Sequence, residues 1–224
     1  MRFSIVTLFP EIVKAYGNMS ILGRAQEKGV ISVKAYNPRE FTPDKWARVD
    51  RRPYGGGPGM VLEAPAMLKA SDDAVKKAKV TPAKTKIFFL SASGKKFTNE
   101  YARTLAKKYK HILFISGRYE GVDARVKKAL KAEEISIGDY VLTGGEVASM
   151  VMIDAIARQI PGVLGKFESV EEERISASEV YTRPETIIYK KKKMSVPKIL
   201  LSGHHAKMDA WKEDPKRKTK GKAR

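Results

Sequence analysis

Strand-like and helix-like segments alternate along the first two thirds of this chain, and that alternation restricts the fold more than any other feature. Strand-like runs cover Phe3–Phe9, Val30–Tyr36, Lys86–Leu90, His111–Ser116 and Glu134–Ile137. Helix-like stretches cover Glu11–Ala15, Glu63–Lys79, Asn99–Lys108, Val122–Lys131 and Gly145–Ile160. The order predicts an α/β domain around a mainly parallel sheet. Ile87-Phe88-Phe89-Leu90 and Ile112-Leu113-Phe114-Ile115 are apolar throughout, as strands covered on both faces must be. The stretch from Glu146 to Ile160 is apolar on more than one side, and Pro161-Gly162 ends it. Such a helix is buried from several directions, and burial inside the domain explains it as well as a subunit contact does.

Three glycine-rich segments punctuate this frame: Arg52–Met60, Gly117-Arg118-Tyr119-Glu120-Gly121, and Ser136–Glu146 with Gly144-Gly145 inside it. Ligands of parallel sheets bind beyond the carboxyl ends of the strands. Leu90-Ser91-Ala92-Ser93-Gly94, Ser116-Gly117-Arg118 and Ile137-Gly138 all lie at such ends. Glycine there lets backbone groups approach a ligand that a Cβ would block. The phosphate templates fail, however. Gly94-Lys95 has Phe89 where a P-loop needs its first glycine, and Lys96 follows the lysine. G-x-G-x-x-G fails at Met60 and at Leu62. The segments therefore predict one cofactor site that holds neither a nucleoside triphosphate nor a dinucleotide in the usual way.

Charge points to the partner. Lys and Arg number 44 against 25 acids, for a net charge of +19. Lys190–Lys193 supply +4 and residues 212–224 supply +5, which leaves +10 on the body. A body this basic favours a polyanion, nucleic acid before a membrane, because the basic stretches lack an apolar face. No run reaches the ~18 apolar residues of a membrane span, and the strand-like amino terminus does not read as a secretory signal. The chain has no cysteine, which excludes disulfides and a thiol nucleophile and suits a reducing cytoplasm.

Composition divides the 224 residues into an α/β domain over 1–165, a flexible acidic linker over 166–180, a small C-terminal domain over 181–211 and a basic disordered tail over 212–224. Candidate chemistry is sparse. His111 opens a buried strand and reads as structural, and the adjacent His204-His205 cannot share a helix face for a metal, so packing or hydrogen bonding is expected of them. No serine-nucleophile or zinc spacing occurs. Carboxylates and arginines remain. Arg158 lies on the polar side of an apolar helix. Glu168, Glu171, Glu172 and Glu173 could deliver a general base, and Arg118 could meet a phosphate or a guanine edge.

These motifs, with Ile5–Pro10, Ile160–Gly165, Tyr181-Thr182-Arg183-Pro184-Glu185 and Leu200–His205, carry a resemblance to a known family. The chain resembles the bacterial tRNA (guanine-37 N1)-methyltransferases of the TrmD type, in the SPOUT superfamily. The resemblance implies a deep C-terminal trefoil knot in the α/β domain, followed by a small helical RNA-binding domain. It implies a cytoplasmic homodimer with active sites shared across the interface. The implied reaction is methyl transfer from S-adenosylmethionine to N1 of guanosine 37 in tRNA, after a preceding guanosine. A magnesium ion would be compatible, although no residue is assigned to one.

By position, the resemblance assigns the cofactor to Leu90, Ser91 and Gly94, to Gly117, Tyr119 and Glu120, and to Ser136, Ile137, Gly138, Tyr140, Leu142, Gly144 and Gly145. It gives Asp50, Tyr54, Gly59, Arg118 and Arg183 to the substrate RNA. Glu173 stands at the general base and Arg158 at the electrostatic stabiliser. The chain departs from the pattern in places. Glu173 replaces an aspartate, Ala148 and Val180 replace a proline and a histidine, and the linker and C-terminal domain are short. Two alternatives follow from these departures: a SPOUT methyltransferase with a shifted RNA target, or a cofactor- and RNA-binding module with impaired catalysis.

Overall fold

The computed structural model describes residues 1–164 and 179–213, which fall into two compact units, one in each segment. The first is built on five parallel strands in the order β2-β1-β6-β5-β7. They are β1 (Arg2–Val6), β2 (Ser32–Tyr36), β5 (Thr85–Lys96), β6 (His111–Ile115) and β7 (Glu133–Ser136). Six helices accompany them: α1 (Pro10–Gly17), α2 (Ser20–Glu27), α3 (Ala64–Ala78), α4 (Asn99–Lys108), α5 (Ala124–Ala129) and α6 (Gly145–Ala157). The α/β class with a parallel sheet expected from the alternation is what the chain forms.

Every residue of β6 is buried, and its alternate side chains enter two different cores. Ile112 and Phe114 join Phe3, Ile5, Phe88 and Ile153 on one side. Leu113 and Ile115 join Val6, Leu62, Met67 and Val126 on the other. Period-two alternation between two apolar layers is why the strand reads as an unbroken hydrophobic run. In α3 the buried positions are mostly small (Ala66, Ala70, Ser71, Ala74, Ala78), so the helix lies close on the sheet. Helices α4 and α5 start where the side chains of Thr98 and Asp123 accept from Tyr101 N (3.2 Å) and Arg125 N (2.9 Å).

Strand β5 runs on past the Leu90 end expected for it. Its pairing with β7 shifts register between Leu90 and Lys95, and Lys95–Lys96 then pair with Ile135–Ser136. Gly94 permits this, because a Cβ there would lie 2.5 Å from the Ile135 nitrogen. A short antiparallel pair, β3 (Asp50–Arg51) and β4 (Val61–Leu62), carries the first glycine segment as its connecting loop.

The second unit has the expected helices and adds a hairpin to them. It opens with a hairpin of β8 (Thr186–Tyr189) and β9 (Lys192–Ser195), followed by α7 (Lys198–Leu201) and α8 (His205–Glu213). Leu200-Leu201, which open the Leu200–His205 motif, are the last residues of α7. Lys212 and Glu213, assigned to the tail, belong to α8. Most of the expected linker, and the tail from residue 214, lie outside the described residues.

Candidate active site

The carboxyl ends of β5, β6 and β7 open onto a cavity of about 260 Å³ in the first unit. The second and third glycine segments form its walls, and Leu90, Ser91, Ala92 and Ile135 supply more of the lining. Of the thirteen residues assigned to the cofactor by position, all but Gly94 border it. Gly94 packs on β7 instead. Ile135, Val141 and Thr143 also line the cavity without having been assigned to the cofactor, as does Ala148, which stands where the family pattern has a proline.

Each glycine segment has a local reason for its shape. The Ser136 hydroxyl donates to the Gly138 carbonyl (2.9 Å) and accepts from its N–H (3.2 Å), which fixes the turn after β7. The Tyr140 ring folds back over Gly138, whose Cβ would meet ring carbon Cε1 at 2.3 Å. Gly145 N donates to the Gly117 carbonyl (3.0 Å), joining the two walls. Tyr119 holds a φ of 59° on the opposite wall, a conformation unusual for a non-glycine residue and typical of ligand sites.

Behind the walls lies a buried ion pair. Glu146, only 1% exposed, accepts from the Thr7 hydroxyl through Oε1 (2.7 Å) and faces Arg118 Nε through Oε2 (3.0 Å). The contact lacks hydrogen-bond alignment, so Nε and Oε2 have no directional partner and the attraction is Coulombic. Arg118 also donates from Nη1 to the Thr143 carbonyl (3.2 Å), and its guanidinium carbon lies 4.5 Å from the Phe9 ring centroid. Arg118, assigned to RNA by position, thus turns inward and ties one cavity wall to the other. Thr7, Phe9 and Glu146 were not picked out as functional. Thr7 and Phe9 sit in the amino-terminal motif, but nothing local in the sequence announces a contact across 139 residues.

The first glycine segment is hydrogen-bonded to the same wall. Glu120 N donates to the Met60 carbonyl, Leu62 N to the Gly121 carbonyl and Asp123 N to the Leu62 carbonyl, each at 3.0 Å. Gly59, with φ of 79°, passes under Glu120; a Cβ there would lie 2.5 Å from Oε1. Asp50 lies on β3, and Tyr54 stands fully exposed at the loop tip. Arg158 caps α6, its N–H donating to the Asp154 carbonyl (3.1 Å). Arg183 borders a separate hollow of about 530 Å³ within the second unit, with Tyr181 and Leu200. Glu173 and the other linker glutamates lie outside the described residues.

The histidines divide. His111 is fully buried, with Nε2 at 3.0 Å from Ser4 Oγ, and burial followed by the nearby Arg2 charge pushes it down to about 4. It is structural, as expected. His204 and His205 are exposed, so the packing expected of them is not found. Among the described residues no group of three or more His, Asp or Glu side chains gathers as a metal would require.

A glycine-walled cavity at the carboxyl ends of a parallel sheet covered on both faces lies where α/β proteins as a class bind small ligands. Comparison with known proteins sharpens this class. The family described as tRNA (Guanine-1)-methyltransferase TrmD matches residues 1–224. A tRNA (guanine-N(1)-)-methyltransferase of Carboxydothermus hydrogenoformans is 46% identical over 217 residues, covering 95% of this chain and 81% of the relative. Enzymes of the same description from Buchnera aphidicola and Staphylococcus epidermidis are each 44% identical, covering 94% and 96% of this chain and 87% and 86% of the relatives. The chain belongs to the TrmD family of tRNA (guanine-1)-methyltransferases.

Proposed function

We propose that this protein transfers the methyl group of S-adenosylmethionine to N1 of guanosine 37 in tRNA, after a preceding guanosine, as a cytoplasmic homodimer. The observation that carries the proposal is the cavity where the second and third glycine segments meet the end of β5. It fits the cofactor in kind. Leu90, Ile137 and Leu142 offer apolar surface for a heterocycle, and the glycines leave backbone groups within reach of its polar atoms. Glu120 at the rim supplies a carboxylate for a positively charged ligand. No phosphate-gripping lysine is needed. When bound, S-adenosylmethionine supplies a methyl group activated by a sulfonium.

N1 of guanine carries a proton, so a general base must accept it. Glu173 has the chemistry for that task. Its side chain is longer than aspartate by one carbon–carbon bond, roughly 1.5 Å, so its linker must accommodate the difference. Negative charge left on guanine O6 calls for a cation, the role given to Arg158. Asp50, Tyr54 and Gly59 on the first glycine segment, and Arg183 in the second unit, are proposed to meet the RNA. The exposed lysines Lys190–Lys193 at the tip of the β8–β9 hairpin support RNA binding by the C-terminal unit.

Dimerisation is supported by an apolar surface that the first unit leaves open. Val147 and Val151 are 55% and 45% exposed one turn apart on α6, and Ile12 and Tyr16 are exposed on α1. Tyr16 donates to Asp154 of α6 (2.6 Å), which keeps the two helices together. The family's trefoil knot is proposed for the segment from β5 to α6, in keeping with β5 lying between β6 and β7 and with Gly145 bonded to Gly117.

The test uses methyl-labelled cofactor and a tRNA transcript with guanosines at 36 and 37. Wild-type protein should label it, and Glu173→Gln should bind the cofactor equally well without turnover. Wild-type turnover by that variant would remove Glu173 as the base. Cofactor binding without any turnover by the wild type would favour the impaired module.

A further inference from the structure

Trp46 is 69% exposed, the more notable because indole is among the costliest side chains to leave in water. Its backbone is anything but loose. Asp44 Oδ1 accepts from Trp46 N (2.8 Å) and Arg48 N (3.3 Å), and Ala47 N closes the turn on the Asp44 carbonyl (2.9 Å). Arg48 Nη2 binds Asp44 Oδ2 (2.9 Å), and Arg39 Nη1 donates to the Ala47 carbonyl (3.0 Å). The Arg48 guanidinium beside Asp44 holds that carboxyl down at about 2, so the brace persists at any pH of interest. Ala47 takes a φ of 52° to complete the turn. A left-handed alanine is strained, and a local rule broken this way usually marks a functional position.

The braced turn presents an aromatic ring among cations. The Arg48 guanidinium carbon lies 4.7 Å from the Trp46 ring centroid and Lys45 Nζ lies 6.0 Å from it. An exposed ring with flanking cations is what proteins use to stack an unpaired base while meeting its phosphate. A protein partner would be less well matched, since the chain carries +19 and belongs to a family of tRNA-modifying enzymes. The position is also apt. The turn runs through buried Val49 into β3, whose partner β4 is bonded at Leu62 to Gly121 of the cavity wall.

We infer that Trp46 is a stacking post for an unpaired nucleotide of the tRNA loop near the methylated guanosine, with Lys45 and Arg48 meeting its phosphate. The inference rests on the tRNA reading proposed above. Trp46 thereby positions RNA and does not take part in methyl transfer. Base–aromatic stacking predicts that Trp46→Ala raises the KM for tRNA roughly 5- to 150-fold. Its kcat and its affinity for S-adenosylmethionine should be unchanged, and Trp46→Phe should restore most of the loss.

A binding measurement separates failure of this inference from failure of the proposed reaction. The chain has two tryptophans, so Trp211→Phe leaves Trp46 as the sole indole. Single-stranded anticodon-loop RNA should quench its emission saturably, whether or not methyl transfer occurs, and duplex RNA should not. Absence of quenching overturns the inference. So does an unchanged KM in Trp46→Ala, equal impairment of Trp46→Ala and Trp46→Phe, or a Trp46→Ala protein that changes only its oligomeric mass.

Discussion

The Glu146 carboxylate lies 3.0 Å from the Arg118 guanidinium directly behind the two glycine walls, and Arg118 passes that anchorage to the Thr143 carbonyl. Removing the charge should therefore loosen the cavity as well as the fold. Breaking a fully buried pair costs about 3–5 kcal/mol. The Arg118 side chain is 21% exposed, so water recovers part of that, and Glu146→Gln should lose about 2 kcal/mol in urea unfolding. Cofactor affinity, measured by calorimetry, should fall with it. Unchanged affinity would mean that the pair supports the fold alone.

Gly144 and Gly59 should fail for different reasons. A Cβ on Gly144 would lie 2.4 Å from Arg118 Nε and 2.5 Å from Glu146 Oε2, so Gly144→Ala must push the ion pair apart. Its φ is extended and adds no strain. Overpacking of this kind costs about 1–3 kcal/mol. Gly59→Ala meets a φ of 79° and the Glu120 side chain, with Oε1 at 2.5 Å and Cγ at 2.6 Å, so that whole side chain must turn away. It should cost the roughly 1–2 kcal/mol of a left-handed alanine, with Glu120 displaced from the rim. Denaturation midpoints beside cofactor titrations for the two variants test this division.

His111 predicts an acid limb of the stability curve. Burial keeps the ring neutral and pushes it from 6.5 down to about 4, so the unfolded chain binds more protons between those values. Its contribution is complete above about pH 6.5 and is lost as the pH falls toward 4, on the order of 3 kcal/mol in all. Unfolding free energies of His111→Gln measured from pH 4 to 7 should show a shallower slope than wild type. Parallel curves would contradict the assignment.

The lysine hairpin should be visible in salt. Lys190 and Lys191 form its turn with φ of 46° and 63°, and Lys192 and Lys193 follow on β9. Replacing all four with glutamine should reduce the slope of log affinity for tRNA against log salt by about 3, as the loss of four phosphate contacts requires. An unchanged slope would place the RNA elsewhere.

Much of the sheet was legible because burial on both faces writes itself as an unbroken apolar run, as in β6. Helix α2 was missed because Leu22, Gly23 and Ala25 are too few buried positions to set a period. The β8–β9 hairpin was missed because its turn carries Lys190-Lys191 where glycine or asparagine would have signalled it. The cavity walls were legible as glycine segments at strand ends, but the register shift that takes Gly94 into the sheet was not. Nor was the Thr7–Glu146–Arg118 connection, which exists only once β1 and α6 are packed together.

The most direct measurement is the position and identity of the methylated base. Wild-type protein, S-adenosylmethionine and a tRNA transcript bearing guanosines at 36 and 37 would be incubated, and the RNA then digested with nuclease and read by mass spectrometry. N1-methylguanosine is expected at position 37, and none in a transcript whose guanosine 36 is replaced. Methylation at another nucleotide, or at another atom of guanosine 37, would contradict it.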